Sequence, residues 1–404
     1  MAAPATAAPV AAAEVAALRL DLTNQGVRLG DDVIAAGFDL ALAKDGNGNG
    51  NGHGNGNGNA SEGIDLILPG GWCTNVCIAP GYARTSPYVL ALGHGGALEL
   101  RHPRHGNVPV NVPDTARFRH QRTHSGVSCG DIGAVHGRWL VVAPFAARDG
   151  IGVDRPRRFL GLPPLRPLQK GQWSVDEVVA CAEAAWAHAG ARLVHLEASH
   201  LLRDDGGLAD LSPYISALKR ALPTLVSVSA LPPINASQTL ALYAAGCDAI
   251  SYHLLAFDAE AAAQVAPIRS RFVSHDRLMD GLRAAARVFP RGAVSTDLLL
   301  GLEPLEHVSA ALPRLTTEGI VPNLALFRPL PGGEDDVPAG TLVPTEPILA
   351  LRAERGDLMR AHGLWHSRVR GFSRTLWGFE PYVPSLSDRL YANVRRWLRV
   401  RERT

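Results

Sequence analysis

The strongest constraint on the fold is a regular alternation of short apolar runs with helical segments between residues 139 and 330. Six runs have the length and composition of strands, and five helical segments separate them. The runs are WLVVAP, ARLVHLEA, LVSVSAL, CDAISYHLL, AVSTDLLLGL and VPNLALFRPL. Apolar strands that alternate with helices form parallel sheets. The pattern predicts a (β/α) barrel or a doubly wound sheet, and about 200 residues are enough for a small or partial barrel, which we favour.

Composition shifts divide the chain into five predicted segments. A Gly/Asn repeat offers no side chains for a core and is predicted to be a flexible linker. Short strand-like runs with Gly and Pro between them follow it. The segments are 1–43 (N-terminal segment), 44–63 (linker), 64–117 (small β-rich cap), 118–335 (barrel) and 336–404 (helical, Arg-rich extension).

Charge and cysteine content narrow the function classes. The chain has 404 residues, a net charge of +2 and 46% hydrophobic residues, which indicates a globular protein with no general affinity for nucleic acid. No apolar run is long enough for a membrane span, so we expect no membrane partner. Five cysteines do not suggest a disulfide framework, and a reducing cytoplasm is the expected location.

The stretch from residue 118 to residue 142 carries a set of spaced motif residues. They form an aromatic lead-in, a Thr-x-x-Gly-Val turn and an Ile-x-x-x-His-Gly step. The residues are Phe118, Thr123, Gly126, Val127, Ile132, His136 and Gly137. The stretch resembles a biotin-synthase-like group of radical S-adenosylmethionine (SAM) proteins associated with nitrilase gene clusters. ISYHLLAF, VSTDLLLGL and VPNLALFRPLPGG also match that group, so the resemblance covers roughly residues 86–333.

The resemblance implies an α/β fold of the radical-SAM type. We expect a partial or closed TIM-like (β/α) barrel, with the small N-terminal β-rich cap before it and the helical extension after it. It also implies a [4Fe–4S] cluster, held by three cysteines in the loop after the first barrel strand, and SAM as co-substrate.

The sequence departs from the group where the chemistry should lie. In the loop within Val141–Pro163, Phe159 and Gly161 fit the pattern, but Arg157 and Leu160 occupy cysteine positions. Neither side chain can replace a thiolate as an iron ligand. Two acids of the group are also replaced, by Leu231 and Leu255, which removes hydrogen-bond acceptors for SAM. The pattern favours a barrel that has lost its cofactor.

An alternative ligand set comes from outside the usual loop. Cys73 and Cys77 have the spacing of the first two cluster cysteines in many radical SAM proteins, and Cys129 is the candidate third ligand. A zinc site near these cysteines would draw on His94, His102 or His105, although the spacing fits no familiar zinc motif.

Four residues at the ends of predicted strands, together with His253 in the middle of one, are candidates for ligand binding. Barrel active sites lie at the carboxyl ends of the strands. The candidates are Glu197, Ser199, His253, Asp297 and Arg328. Glu197 is alternatively an inward core residue paired with an arginine, His253 is alternatively a hydrogen-bonded core histidine, and Asp297 is alternatively the cap of the next loop. His200 is a neighbour of the first two. Arg157, Arg158 and Arg328 together would favour an anionic group, and the alternative is that each is a solvated loop arginine.

Three functions follow. The leading hypothesis is a radical-SAM-fold protein with a degenerate cluster site and no cofactor. It would be a non-catalytic partner of an active paralogue or pathway enzyme, or a small-molecule-binding component of a biosynthetic or nitrogen-metabolism pathway. The alternative is an active radical SAM enzyme with a [4Fe–4S] cluster on Cys73, Cys77 and Cys129. The third is a barrel enzyme that uses Glu197 and His253 as acid and base, with zinc or without metal.

Overall fold

A computed structural model describes residues 12–36, 63–78, 83–103, 106–145, 171–327, 343–364 and 386–401. The chain divides into two compact units, Met1–Pro113 and Asp114–Thr404, each with its own internal packing.

The first unit is rich in short strands. Its elements are α1 (Ala12–Gln25), β1 (Arg28–Leu29), α2 (Asp31–Ala35), β2 (Gly63–Leu68), β3 (Trp72–Cys77), β4 (Val89–Leu92), β5 (Leu98–His102) and β6 (Gly106–Pro109). Strands β1, β4, β5 and β6 form one sheet in that order, and β2 and β3 form an antiparallel pair. Buried aliphatic side chains from α1 and both sheets, including Leu22, Leu66 and Leu90, form its core.

The second unit contains the alternating part of the sequence. Its strands are β7 (Gly133–His136), β8 (Trp139–Val142), β9 (Leu193–Glu197), β10 (Leu225–Ser229), β11 (Ala249–Ser251), β12 (Val294–Leu300) and β13 (Val321–Leu326). Its helices are α3 (Ala116–His120), α4 (Cys129–Ile132), α5 (Val175–His188), α6 (Leu208–Ala221), α7 (Ser237–Ala244), α8 (Ala259–Val265), α9 (Pro267–Phe272), α10 (His275–Val288), α11 (Leu305–Thr317), α12 (Thr345–Ala361) and α13 (Leu386–Arg401).

The strand order distinguishes the two folds that the sequence left open. The seven strands lie in the order β13-β12-β11-β10-β9-β8-β7, and neighbours from β8 to β13 are parallel. A doubly wound sheet reverses its order at a switch point, and this sheet does not. Connections between consecutive parallel strands are right-handed as a rule, which places the helices that connect them on the same face, as in a barrel. Within the described residues, β7 and β13 are the two edges, so the barrel is partial.

The sequence analysis predicted the six parallel strands and missed β7. That strand pairs antiparallel with β8, and the two-residue turn between them is Gly137–Arg138. Gly137 has φ of 58°, as expected for a hairpin turn with glycine at its first central position. The missed strand has only four residues and no β-rich run, so the sequence pattern gave no strand signal there.

Helix α5 begins at a capping box. The Ser174 hydroxyl accepts a hydrogen bond from the Glu177 backbone N–H at 3.2 Å, and the Glu177 carboxylate accepts one from the Ser174 N–H at 2.8 Å. Two backbone donors at the start of the helix are therefore satisfied.

We expect Ser174→Ala to lower the free energy of unfolding by about 1 kcal/mol, because it removes the acceptor for the Glu177 N–H. Urea-induced unfolding followed by circular dichroism measures the change. Ser174→Asp is the matched control, since aspartate is also a good cap and should retain most of the stability. Equal losses in both variants would contradict the role of the cap.

In the part of the chain that the structure describes, no helix combines the length and the apolarity needed to cross a membrane.

Candidate functional site

One face of the parallel sheet is polar. The third and fifth residues of β9 and of β10 are polar, and the second and fourth are aliphatic. The polar residues are His195, Glu197, Ser227 and Ser229. Successive side chains of a strand point to opposite faces. The aliphatic face packs against the helices, which bury apolar side chains, so the polar face is the one that the helices leave uncovered.

Strand register arranges the polar positions in rows. Glu197 pairs with Ser229, Ser229 with Ser251, and Ser251 with Ser295, so four neighbouring strands contribute one row. Farther along the strands, Asp297 pairs with Asn323. Each of these side chains is buried. We call this face, with His195, Ser227 and His253 added, the polar interior.

His253 is the centre of the hydrogen-bond network in the polar interior. Its Nε2 lies 2.9 Å from the Ser229 hydroxyl, within hydrogen-bond distance, and its Nδ1 lies 3.0 Å from Asp297 Oδ2, a close polar contact without hydrogen-bond geometry. The Ser251 hydroxyl is also near Nδ1, at 3.3 Å. Asn323 donates to the other oxygen of Asp297 at 3.1 Å. The ring is therefore fixed from both nitrogens.

Glu197 anchors a second network at the end of β9. It accepts hydrogen bonds at Oε1 from the Ser199 backbone N–H, at 3.0 Å, and from the Ser199 hydroxyl. Its Oε2 lies 3.8 Å from His195 Nε2, and His195 Nδ1 lies 2.8 Å from the Ser227 hydroxyl. The nearby His200 makes a contact of 3.1 Å with the Phe145 carbonyl.

The backbone just beyond His253 is strained and held from outside the sheet. Leu255 has φ of 73°, in the left-handed region that β-carbon-bearing residues avoid at a cost of about 1–2 kcal/mol. Its N–H donates to the Asp297 carbonyl at 2.9 Å. Arg269 donates to the carbonyls of His253 and Leu254, at 2.7 and 3.2 Å, and burial lowers the pKa of its guanidinium to about 10. Strained residues of this kind are concentrated at functional sites.

Two positions where the resemblance led us to expect acids carry buried leucines. Leu231 and Leu255 are each 1% exposed, and Leu255 packs in an apolar cluster with Leu299 and Phe327. They contribute to packing and offer a ligand no polar group.

The cysteines of the alternative hypothesis lie in different surroundings. Cys73 and Cys77 are both on β3, which is paired over its whole length with β2. Four residues of extended strand separate their Cα atoms by roughly 13 Å, which is too far for two thiolates that ligate adjacent iron atoms of one cluster. Cys129 begins α4 in the other unit, where the Cys181 thiol donates to its carbonyl at 3.6 Å and hydrogen bonding from that thiol lowers the pKa of Cys129.

No group of three His, Cys, Asp or Glu side chains in the described ranges is arranged to hold a metal ion. The donor set on β3 does not fit a cluster. The three-cysteine site itself remains a prediction, because its members belong to separate units.

The structure places four of the five predicted site residues in the strands of one sheet or just beyond their ends. Glu197 is the last residue of β9, as expected, and Ser199 bonds to it. Two details differ: His253 lies just after β11 rather than within a strand, and Asp297 lies in the middle of β12 rather than at its end, so it caps no loop. Arg328, and with it Arg157 and Arg158, lies outside the described residues.

The sequence analysis missed the polar partners of these residues. They are His195, Ser227, Ser229, Ser251 and Asn323. The alternation in LVSVS was the available signal, since serine at every second position of a strand marks one face as polar.

Comparisons with known proteins find only distant likenesses. No protein-family model matches this chain, and no curated protein does. Among solved structures, methylornithine synthase (PylB) aligns at 16% identity with a TM-score of 0.37, over 46% of this chain and 54% of that one. Coproporphyrinogen III oxidase (HemN) from Escherichia coli, a radical SAM enzyme, aligns at 17% identity with a TM-score of 0.32, over 43% of this chain and 41% of that one. The cobalamin-dependent SAM radical enzyme OxsB aligns at 14% identity with a TM-score of 0.31, over 79% of this chain and 46% of that one.

The chain spans about half the length of the solved proteins that it aligns with. TM-scores of this size carry no argument about function, so the class follows from the topology and the site. The second unit is an α/β protein with a partial parallel barrel and a polar interior.

Proposed function

We propose that this chain is a radical-SAM-type barrel protein that works without an iron–sulfur cluster and binds a small polar molecule in its interior. The observation that carries the proposal is the polar interior itself. Barrel interiors that serve only for packing are filled mainly by branched aliphatic side chains. Here the corresponding face carries Glu197, His253 and Asp297 together with rows of serine.

The energetic cost of this face supports a binding role. Each buried polar group requires hydrogen bonds to offset its desolvation, and each buried carboxylate requires more. Aliphatic residues at the same places would stabilise the sheet without such bonds. Polar groups that converge on one concave face are the usual equipment of a small-molecule site.

Two features support the absence of a cluster. Arg157 and Leu160 stand where the resemblance requires cysteines, and Cys73 and Cys77 are held apart on β3. The resemblance carried by the motif residues in 118–142 supports a role beside an active radical SAM paralogue or another enzyme of a biosynthetic or nitrogen-metabolism pathway. The five cysteines, with no disulfide framework, support a location in the cytoplasm.

Anaerobic purification followed by reconstitution with iron and sulfide tests the absence of a cluster. We expect no stoichiometric acid-labile sulfide and no absorbance band near 400 nm. Stoichiometric sulfide that is lost on Cys73→Ala and Cys77→Ala substitution would overturn the proposal and establish the alternative enzyme, with Cys73, Cys77 and Cys129 as ligands.

Thermal unfolding in the presence of a panel of amino acids, carboxylic acids and nucleosides tests the binding role. We expect at least one compound to raise the Tm of the wild-type protein and to have less effect on Asp297→Asn, because a ligand that binds the folded state stabilises it. A panel in which every compound shifts both proteins equally would contradict binding in the polar interior.

A further inference from the structure

Helix α13 is held against the second unit by the side that carries Arg396. The helix packs against α7, and the Arg396 side chain makes the polar contacts between the two. Its guanidinium pairs with the buried Asp248 and donates to the Cys247 carbonyl at 3.5 Å. The same group lies 5.7 Å from the centre of the Tyr243 ring on α7. Arg396 is only 9% exposed, so this is the docked side of the helix.

The opposite side of α13 is apolar and exposed. Arg396 follows Val394 by two residues, which turns it by about 200° around the helix axis. Val394 shares its own face with residues three or four positions away, and the set is Leu390, Val394, Trp397 and Leu398. These side chains are 64%, 55%, 57% and 42% exposed. Single exposed apolar side chains are ordinary, but four on one face form a patch of the kind that marks an interaction site. We call these four residues the apolar stripe.

The charge of α13 indicates which surface can cover the apolar stripe. The helix contains five arginines and one aspartate, whereas the rest of the chain has two more acidic than basic residues. Arg401 is exposed at the end of the stripe, and its guanidinium lies 4.5 Å from the centre of the Trp397 ring. A helix of this charge is attracted to an anionic surface and repelled by a second copy of itself. Four side chains also supply only a fraction of the roughly 1,200–2,000 Å² that a stable protein interface buries, which favours a lipid surface.

We propose that α13 docks the protein on the surface of an anionic lipid bilayer, with the apolar stripe at the level of the headgroups and Arg401 near the lipid phosphates. Helices with Trp and Leu on one face and arginines elsewhere lie in the plane of the membrane interface. Trp is favoured at that level because its ring is apolar and its N–H is polar. The expectation of no membrane partner rested on the lack of a spanning run, and a helix that lies on the surface requires none.

Cosedimentation with lipid vesicles tests the docking. The full-length protein is mixed with vesicles of phosphatidylcholine alone or of equal parts phosphatidylcholine and phosphatidylserine, and the pelleted fraction is measured at increasing lipid concentration. We expect the partition coefficient at low salt to be at least about tenfold higher for the anionic vesicles. It should fall as salt is added, because salt screens the attraction between the arginines and the lipid phosphates.

Two variants separate the apolar contribution from the charge. Leu390→Ala combined with Trp397→Ala should lower the partition coefficient by about tenfold or more, since binding increases with the apolar area that is buried. Arg401→Glu should lower it by about tenfold on anionic vesicles, because it reverses one charge near the lipid phosphates. All three side chains are exposed, so these variants should fold as the wild type does. Circular dichroism and thermal unfolding verify the fold.

The matched control is an exposed aliphatic residue outside α13. Ile234 is 66% exposed and lies between β10 and α7, so Ile234→Ala should bind vesicles as the wild type does. Equal binding of the wild type to both kinds of vesicle, or binding to neither, would overturn the proposal. Unchanged binding of the double variant at Leu390 and Trp397 would overturn it as well, because another surface would then carry the contact.

Other occupants of the apolar stripe would give different results. A dimer in light scattering that the double variant abolishes would assign the stripe to a second copy of the chain. Retention of the wild type, but not of the double variant, on polyglutamate resin without vesicle binding would assign it to an acidic protein. Either result would overturn membrane docking and leave the proposed function intact, since that function depends on the polar interior and on the absence of a cluster.

Discussion

Replacing Gly206 by alanine is expected to lower the free energy of unfolding by about 2–5 kcal/mol, because backbone strain and overpacking add at one position. Gly206 has φ of +63°, and a β-carbon there would lie 2.0 Å from the Leu231 carbonyl oxygen. Real atoms cannot approach so closely, so the loop between β9 and α6 would have to move away from the end of β10. Urea-induced unfolding followed by circular dichroism measures the loss.

Two other glycines separate the contributions to this effect. Gly190 has φ of +67° but nothing within 4 Å of its would-be β-carbon, so Gly190→Ala should cost only the strain, about 1–2 kcal/mol. Gly356 lies within α12 with open space around it, so Gly356→Ala should stabilise by up to about 1 kcal/mol. Equal losses at Gly206 and Gly190 would refute the close approach to Leu231.

The second large effect is expected at Asp248, whose side chain is 1% exposed and forms ion pairs with two basic side chains. Its Oδ2 accepts from Lys219 at 3.0 Å and from the Val226 N–H at 2.8 Å, and its Oδ1 pairs with Arg396 of α13. Burial lowers the pKa of Lys219, while Asp248 opposes that change. Asp248→Ala leaves the cations without their carboxylate and should cost about 3–5 kcal/mol.

The matched control is an ion pair at the surface. Arg203 and Asp210 are 43% and 48% exposed in their side chains, and exposed pairs contribute about 0–1 kcal/mol. Chemical denaturation of Asp248→Ala and Asp210→Ala in the same buffer compares the two. Similar losses in both would show that the Asp248 cluster is not a stabilising buried network.

The sequence was sufficient to predict the parallel strands, because their apolar runs are long and are separated by segments that contain glycine. It could not give the strand order, which depends on crossovers and pairing, and so it left a barrel and a doubly wound sheet both open. The order β13 to β7 resolves that choice. Strand β7 was not predicted, because its pairing is set by a hairpin turn at Gly137 rather than by a hydrophobic pattern.

The candidate site was predicted in part. Glu197, His253 and Asp297 were recognisable because charged or titratable residues are uncommon in apolar strands. Ser229 and Asn323 were not: the alternation in LVSVS marks one face of the strand as polar, but only strand register places Ser229 beside a histidine. The contact of Ser229 with His253 joins residues 24 positions apart, and that of Asp297 with Asn323 joins residues 26 apart. Only pairing between strands brings such residues together.

The serine rows have a consequence for protein engineering. Replacing these serines by valine or isoleucine should raise the free energy of unfolding and remove any binding or activity that depends on them, since functional sites often lower stability. Directed evolution for thermal stability alone is therefore expected to replace Ser227 and Ser251 early, whereas selection for function should retain them.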